Sequence, residues 1–142
     1  MNQLLYNVCV VCYANYCRSP VAERLLQKKL GSKYKVISAG INPIYIGGMD
    51  KRSISYLEKK GLSNTLHTPK KINLKIVKNS SYIFCLDHEI LMILNKLFPT
   101  YKKKLILLNY KNPQIRLADP YKFNKDEYLE IMENISKAID LI

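Results

Sequence analysis

Apolar positions along this chain switch between two rhythms. Leu4 to Val11 is a nearly unbroken apolar run, the pattern of a strand buried on both faces of a parallel sheet. Ser19 predicts an N-cap, Pro20 a first helical residue and Glu23 a place in the first turn. Val21, Ala22, Leu25, Leu26 and Leu30 then follow helical spacing to a stop at Gly31. A second strand is predicted over Tyr34 to Ile37, leading into Ser38-Ala39-Gly40, then a loop from Ile41 to Met49. Asp50 predicts the cap of a helix over Lys51 to Lys60, ended by Gly61. Leu62 to Asn73 reads as polar and irregular, with a short helix over Ile72 to Val77. Tyr82 to Leu86 predicts a third strand and His88 to Leu97 a helix that stops at Phe98-Pro99. Leu105 to Leu108 predicts a fourth strand. After a loop from Asn109 to Phe123, Asn124 and Glu127 form a capping-box pattern for a last helix through Ile139.

Strands alternating with helices give an α/β fold: a four-stranded parallel sheet with helices on both faces. The 142 residues suit one domain, spanning 1–142, and the 48% hydrophobic content excludes a disordered chain. Ligands in such folds sit beyond the carboxyl ends of the strands. The turn from Cys12 to Arg18, following the first strand, lands there.

That turn carries the candidate chemistry. Strand, tight loop and helix N-terminus make an anion site from backbone N–H groups. Cys12 stands at one edge and Arg18 at the other. A helix N-terminus and a guanidinium both favour the thiolate, which makes Cys12 a nucleophile. Arg18 has the planar fork that binds two phosphoryl oxygens at once. A thiolate in a phosphate cradle is built to attack a phosphate ester.

Composition changes this picture little. No run is long and apolar enough to span a membrane and no leader pattern precedes the first strand, so a cytoplasmic protein without membrane insertion is expected. Three of the four cysteines (Cys9, Cys12, Cys17, Cys85) cluster at the first loop, which suits catalysis, redox sensing or metal better than a secreted disulfide scaffold. A net charge of +12 allows an acidic partner, but scattered lysines also follow from a Lys, Asn and Ile bias. No nucleic-acid motif is present. A zinc site on Cys9, Cys12 and Cys17 is disfavoured because the first two lie in and at the end of an apolar strand. Cys9 and Cys85 read as buried filler. Asp87 reads as a helix cap in preference to a residue that orients the active site, Lys102 to Lys104 as a solvated loop in preference to a guide for an acidic partner, and His67 and His88 receive no role.

A Cys-x5-Arg spacing alone is weak evidence, but its context is specific. Val11 to Pro20, VCYANYCRSP, resembles the phosphate loop of the low-molecular-weight protein-tyrosine phosphatases, V-C-x-G-N-x-C-R-S-P. The likeness extends to Ser38-Ala39-Gly40, Leu86-Asp87 and Asp119-Pro120-Tyr121. It implies hydrolysis of phosphotyrosine through a phosphocysteine on Cys12, with no cofactor and no metal. By the same resemblance Asp119 protonates the leaving oxygen and then activates water. Arg18 and the loop amides of Tyr13, Ala14, Asn15, Tyr16 and Cys17 hold the phosphoryl oxygens. Ser19 donates to the Cys12 sulfur, and Asn15 shapes the loop. Tyr13, Ile44, Tyr45 and Tyr121 are the expected walls for an aryl ring. Ala14 replaces the family's glycine, which would add strain if that position needed positive φ. Lys70 stands where the family usually has arginine. Cys17 is either a redox partner of Cys12 or a loop-filling side chain. Arsenate reduction on the same fold would need two further cysteines after the third strand, where only Cys85 occurs, and a catalytically dead binding protein is a third reading. The bacterial character of the match implies a phosphotyrosine protein as partner, for instance a tyrosine autokinase of polysaccharide export. A monomer is expected.

Overall fold

The computed structural model describes residues 5–62 and 66–142. Leu4 of the expected first strand and residues 63–65 of the expected irregular stretch lie outside it. Four strands, β1 (Tyr6–Cys12), β2 (Tyr34–Gly40), β3 (Tyr82–Cys85) and β4 (Leu105–Leu107), form one parallel sheet in the order β2-β1-β3-β4. The helices are α1 (Arg18–Leu30), α2 (Lys51–Lys59), α3 (Leu74–Asn79), α4 (His88–Leu97) and α5 (Lys125–Asp140), with a 3₁₀ segment over Pro99–Lys104.

The sheet is covered on both faces, as the apolar runs predict. Val8, Val10 and Cys12 of β1 point into a core shared with α1, α2 and α5, including Leu26, Leu57, Ile131 and Ile135. Cys9 and Val11 point the other way, onto α3 and α4 through Val77, Ile90 and Leu94. Period-two alternation therefore puts Cys9 and Cys85 in one core and Cys12 and Cys17 in the other, which separates the two pairs of sulfurs.

Three helix starts follow the sequence. Asp50 accepts from Arg52 N–H at 2.8 Å, Asp87 from Ile90 N–H at 2.9 Å and Asn124 from Glu127 N–H at 2.9 Å, caps worth about 1 kcal/mol each. The start of α1 does not follow it. The N-cap is Cys17, without a side-chain cap, and Ser19 lies inside the helix. Glu23 consequently sits in the second turn. β2 also runs three residues further than expected, to Gly40, because Ser38, Ala39 and Gly40 stay paired with Val10, Val11 and Cys12.

The chain leaves β1 for β2 on one side and returns to β3 on the other. The carboxyl ends of β1 and β3 thus form the switch point where loops diverge and a cleft opens. The Cys12–Arg18 loop sits at this point.

Candidate active site

The Cys12–Arg18 loop is held from outside by its carbonyls. Those of Cys12, Tyr13 and Ala14 accept from the N–H groups of Ile41, Asn42 and Ile44, at 2.8–3.2 Å. That of Asn15 is bonded by His67 Nε2 at 2.8 Å, that of Tyr16 by Asp50 N–H at 3.0 Å and that of Cys17 by Ser53 Oγ at 2.8 Å. All these peptides are trans. A trans peptide points its N–H opposite to its C=O. Six outward carbonyls therefore turn the N–H groups of Tyr13 to Arg18 inward, and that of Asn15 reaches Cys12 Sγ at 3.2 Å. The result is a ring of donors around one sulfur.

Asn15 makes this turn possible. It takes φ of 51°, a left-handed conformation that a short polar side chain tolerates. Ala14 does not have positive φ, so the alanine carries none of the strain considered for it. The Asn15 side chain is fully buried and fully used. Its Oδ1 accepts from Lys70 N–H at 3.0 Å, while Nδ2 donates to Ser19 Oγ at 2.8 Å and to Ser38 Oγ at 3.0 Å. Ser38 passes its own proton to Glu23 Oε1 at 2.9 Å, because a carboxylate only accepts. Ser19 Oγ receives from Asn15 in the same way and shares a hydrogen bond with Cys12 Sγ at 2.9 Å, in which the hydroxyl is the donor when the sulfur is a thiolate, since a thiolate only accepts. This is why Ser19 does not cap α1: its hydroxyl is committed to the sulfur, and the first amides of the helix stay turned toward the cleft.

Arg18 is 2% exposed and comes from the first turn of α1. Its Nη1 donates to Asp87 Oδ2 and to the Leu117 carbonyl, both at 2.7 Å. With both Nη1 protons used, the fork that remains is Nε and Nη2. Burial alone would lower its pKa, but Cys12 and Asp87 outweigh it and hold the guanidinium above its usual value. Asp87 thus both caps α4 and fixes Arg18. His67 is half-buried, and burial pushes its pKa below the usual histidine value; its Nε2–H donates to the Asn15 carbonyl, which can only accept.

The cleft above the loop has a volume of about 300 Å³. Its floor is Cys12 and Arg18, and its walls are Tyr13, Asn42, Ile44, Tyr121 and, at the mouth, Asp119. Asp119 Oδ1 accepts from Tyr121 N–H at 3.1 Å, which leaves Oδ2 as the oxygen able to carry a proton. Of the expected walls Tyr45 is the exception. It is 66% exposed and outside the lining, whereas Ile44 is inside it. Tyr16 lies beside the floor, its ring edge-on to Tyr121 at 6.1 Å. Cys17 lines the cleft as a free thiol 3.9 Å from Asp50 Oδ2, and burial pushes it up to about 12, so it stays protonated near neutrality. Sequence reading missed Ser38, Glu23, His67 and Asn42. Each bonds or borders the loop from a distant segment, and only the family likeness of the Ser38-Ala39-Gly40 stretch hinted at one of them.

Gly40 shows how tightly the loop is seated. A Cβ there would lie 2.8 Å from Asn15 N, 2.9 Å from Tyr13 O and 3.0 Å from Ala14 C, all backbone atoms that cannot swing aside. Gly40→Ala should therefore displace the loop, with a stability loss of roughly 1–3 kcal/mol read by denaturant unfolding. A fall in affinity for oxyanions should accompany it.

Comparison with known proteins agrees with this geometry. The family described as "Low molecular weight phosphotyrosine protein phosphatase" matches residues 7–141. The low molecular weight protein-tyrosine-phosphatase Wzb of Escherichia coli K12 is 30% identical over 132 residues, covering 93% of this chain and 89% of that protein. Etp of the same strain is 29% identical over 139 residues, covering 97% and 93%. Among solved structures, Wzb from Escherichia coli K30 in complex with sulphate superposes with a TM-score of 0.89 at 25% identity, covering 97% of this chain and 96% of that one. Vibrio vulnificus Wzb in complex with benzylphosphonate does so at 0.88 and 26%, covering 96% of each. A ring of inward amides around a buried cysteine, an arginine fixed beside it and these matches along the whole described chain have one reading: the chain belongs to the low molecular weight phosphotyrosine protein phosphatase family.

Proposed function

We propose that residues 1–142 form a single phosphatase domain that hydrolyses phosphotyrosine through a phosphocysteine, with Cys12, Arg18 and Asp119 as its catalytic residues. In the first step the Cys12 thiolate attacks phosphorus, the P–S bond forms and the ester P–O bond breaks. Asp119 gives its proton to the departing phenolate oxygen. In the second step Asp119, now a carboxylate, takes a proton from water as that water attacks phosphorus. The P–S bond breaks, and thiolate and inorganic phosphate result. Arg18 and the amides of Tyr13 to Arg18 hold the three equatorial oxygens throughout. The observation that supports this reading best is the set of six outward carbonyls, which aims the opposite ends of the same peptides at Cys12.

Aryl specificity rests on the walls. Tyr13 and Tyr121 both line the cleft as partly exposed rings that can pack against a phenyl group. The proposed substrate is a phosphotyrosine protein, and a tyrosine autokinase of polysaccharide export is the proposed partner. The protein is proposed to act as a monomer in the cytoplasm. No helix among the described residues is long and apolar enough to cross a membrane.

The acid role has a specific test. Asp119→Asn should lower kcat/KM on phenyl phosphate by about 10²–10³-fold. The loss of kcat/KM on p-nitrophenyl phosphate should be much smaller, because kcat/KM reports only the steps through departure of the leaving group and that leaving group departs without a proton. Equal losses of kcat/KM on both esters would count against Asp119 as the acid.

A further inference from the structure

The cleft must hold Asp119 at its mouth, yet Asp119 is an exposed residue on a long loop. We propose that Arg52 is the positioning residue for the Asp119 carboxyl, clamping the acid loop to the phosphate loop. This rests on Asp119 being the acid. Arg52 is the second residue of α2 and makes four side-chain hydrogen bonds. Two go to Asp50, from Nε to Oδ1 and from Nη2 to Oδ2, both at 3.0 Å. Two go to the acid loop, from Nη1 to the Phe123 carbonyl at 2.9 Å and from Nη2 to the Tyr121 carbonyl at 3.0 Å.

Both ends of this clamp touch the chemistry. Tyr121 is held by its carbonyl on Arg52, and its own N–H holds Asp119 Oδ1 at 3.1 Å. One peptide-length link therefore separates the guanidinium from the carboxyl it aims. At the other end Asp50 donates its N–H to the Tyr16 carbonyl, and its Oδ2 lies 3.9 Å from Cys17 Sγ. The guanidinium is itself fixed by stacking, with Cζ 3.8 Å from the ring centre of Tyr128 on α5. Planarity matters here, because only a fork can serve a carboxylate and two carbonyls at once. Acid loop and phosphate loop come from segments about a hundred residues apart, and Arg52 ties one to the other.

The effect falls on proton transfer rather than on phosphate binding, since Arg52 lies outside the lining of the cleft. A misplaced acid costs most where the leaving group needs its proton. Arg52→Gln should lower kcat/KM on phenyl phosphate by roughly 10- to 100-fold. It should leave kcat/KM on p-nitrophenyl phosphate and competitive inhibition by inorganic phosphate nearly unchanged. Combined with Asp119→Asn it should add no further loss on phenyl phosphate, because the group it positions is gone. The side chain is one-third exposed, which favours folding of the variant. If Arg52→Gln fails to fold, the same pattern is read in Arg52→Lys, which retains the charge but lacks the fork. Unchanged kcat/KM on phenyl phosphate, or equal losses on both esters with weakened phosphate inhibition, would overturn the clamp while the acid role stands. An Asp119→Asn enzyme that treats the two esters alike would overturn both.

Discussion

Cys12→Ser is expected to abolish phosphate-ester hydrolysis, a loss of at least roughly 10⁴-fold in kcat. The site is arranged to stabilise charge on sulfur. Asn15 N–H and the Ser19 hydroxyl converge on Cys12 Sγ at 3.2 and 2.9 Å, and the N-terminus of α1 lies beside it. These interactions favour charge on a sulfur that is intrinsically a strong nucleophile, whereas an alcohol in the same place is a weak one. The cradle itself is built by outward carbonyls and by Asn15, none of which depends on sulfur. The serine variant should accordingly still bind phosphotyrosine peptides and retain them. Calorimetry with such a peptide, alongside a single-turnover assay, would check both halves. Residual turnover within about tenfold of wild type would mean that another group is the nucleophile.

Arg18→Lys comes next, with an expected loss of about 10³-fold in kcat/KM. Lysine keeps the charge but not the shape. Arg18 uses Nη1 to bond Asp87 and the Leu117 carbonyl, and so presents Nε and Nη2 as a pre-aimed pair. An ammonium can satisfy Asp87 or reach toward phosphate, but cannot hold both geometries. Its pull toward Asp87 would leave the phosphoryl oxygens with amides alone. The variant should lose in kcat as well as in KM, because the fork also follows the oxygens as they flatten in the transition state. Steady-state kinetics on an aryl phosphate would separate the two, and a change confined to KM would reduce Arg18 to an anchor.

Much of this architecture was legible in the chain because burial leaves a period. The existence and order of the four strands follow from apolar runs, although their ends do not, and the caps at Asp50, Asp87 and Asn124 follow from local side-chain chemistry that operates within three residues. The error at Ser19 is instructive. Its local chemistry does predict a cap, but a buried sulfur and Asn15 compete for the same hydroxyl, and the tertiary demand wins. The Cys12 to Arg18 loop was legible as an anion site from its own residues and from its likeness to a family. What holds the loop was not, because Ser38, His67, Gly40 and Asp50 reach it across sequence separations that carry no periodic signal. Asp87 was half legible: its cap is local, whereas its bond to Arg18 spans the sheet. Tyr45 shows the opposite failure, since no period in an irregular loop decides which of two neighbours faces the cleft, and Ile44 lines it while Tyr45 does not.

The outward carbonyls also tie heat resistance to what the protein has bound. The ring of amides and the Arg18 fork exist only in the folded chain, since the carbonyl anchors come from segments that unfolding disperses. A tetrahedral oxyanion therefore binds the native state and not the denatured one, and mass action shifts the unfolding equilibrium. At a hundred times its Kd, such an ion adds about 2.7 kcal/mol. For a domain of this size that corresponds to a melting temperature roughly 5–11 °C higher. Inorganic phosphate, the product of turnover, is such an ion. The same cradle would thus let the surrounding phosphate concentration set what fraction of this phosphatase is folded at a given temperature.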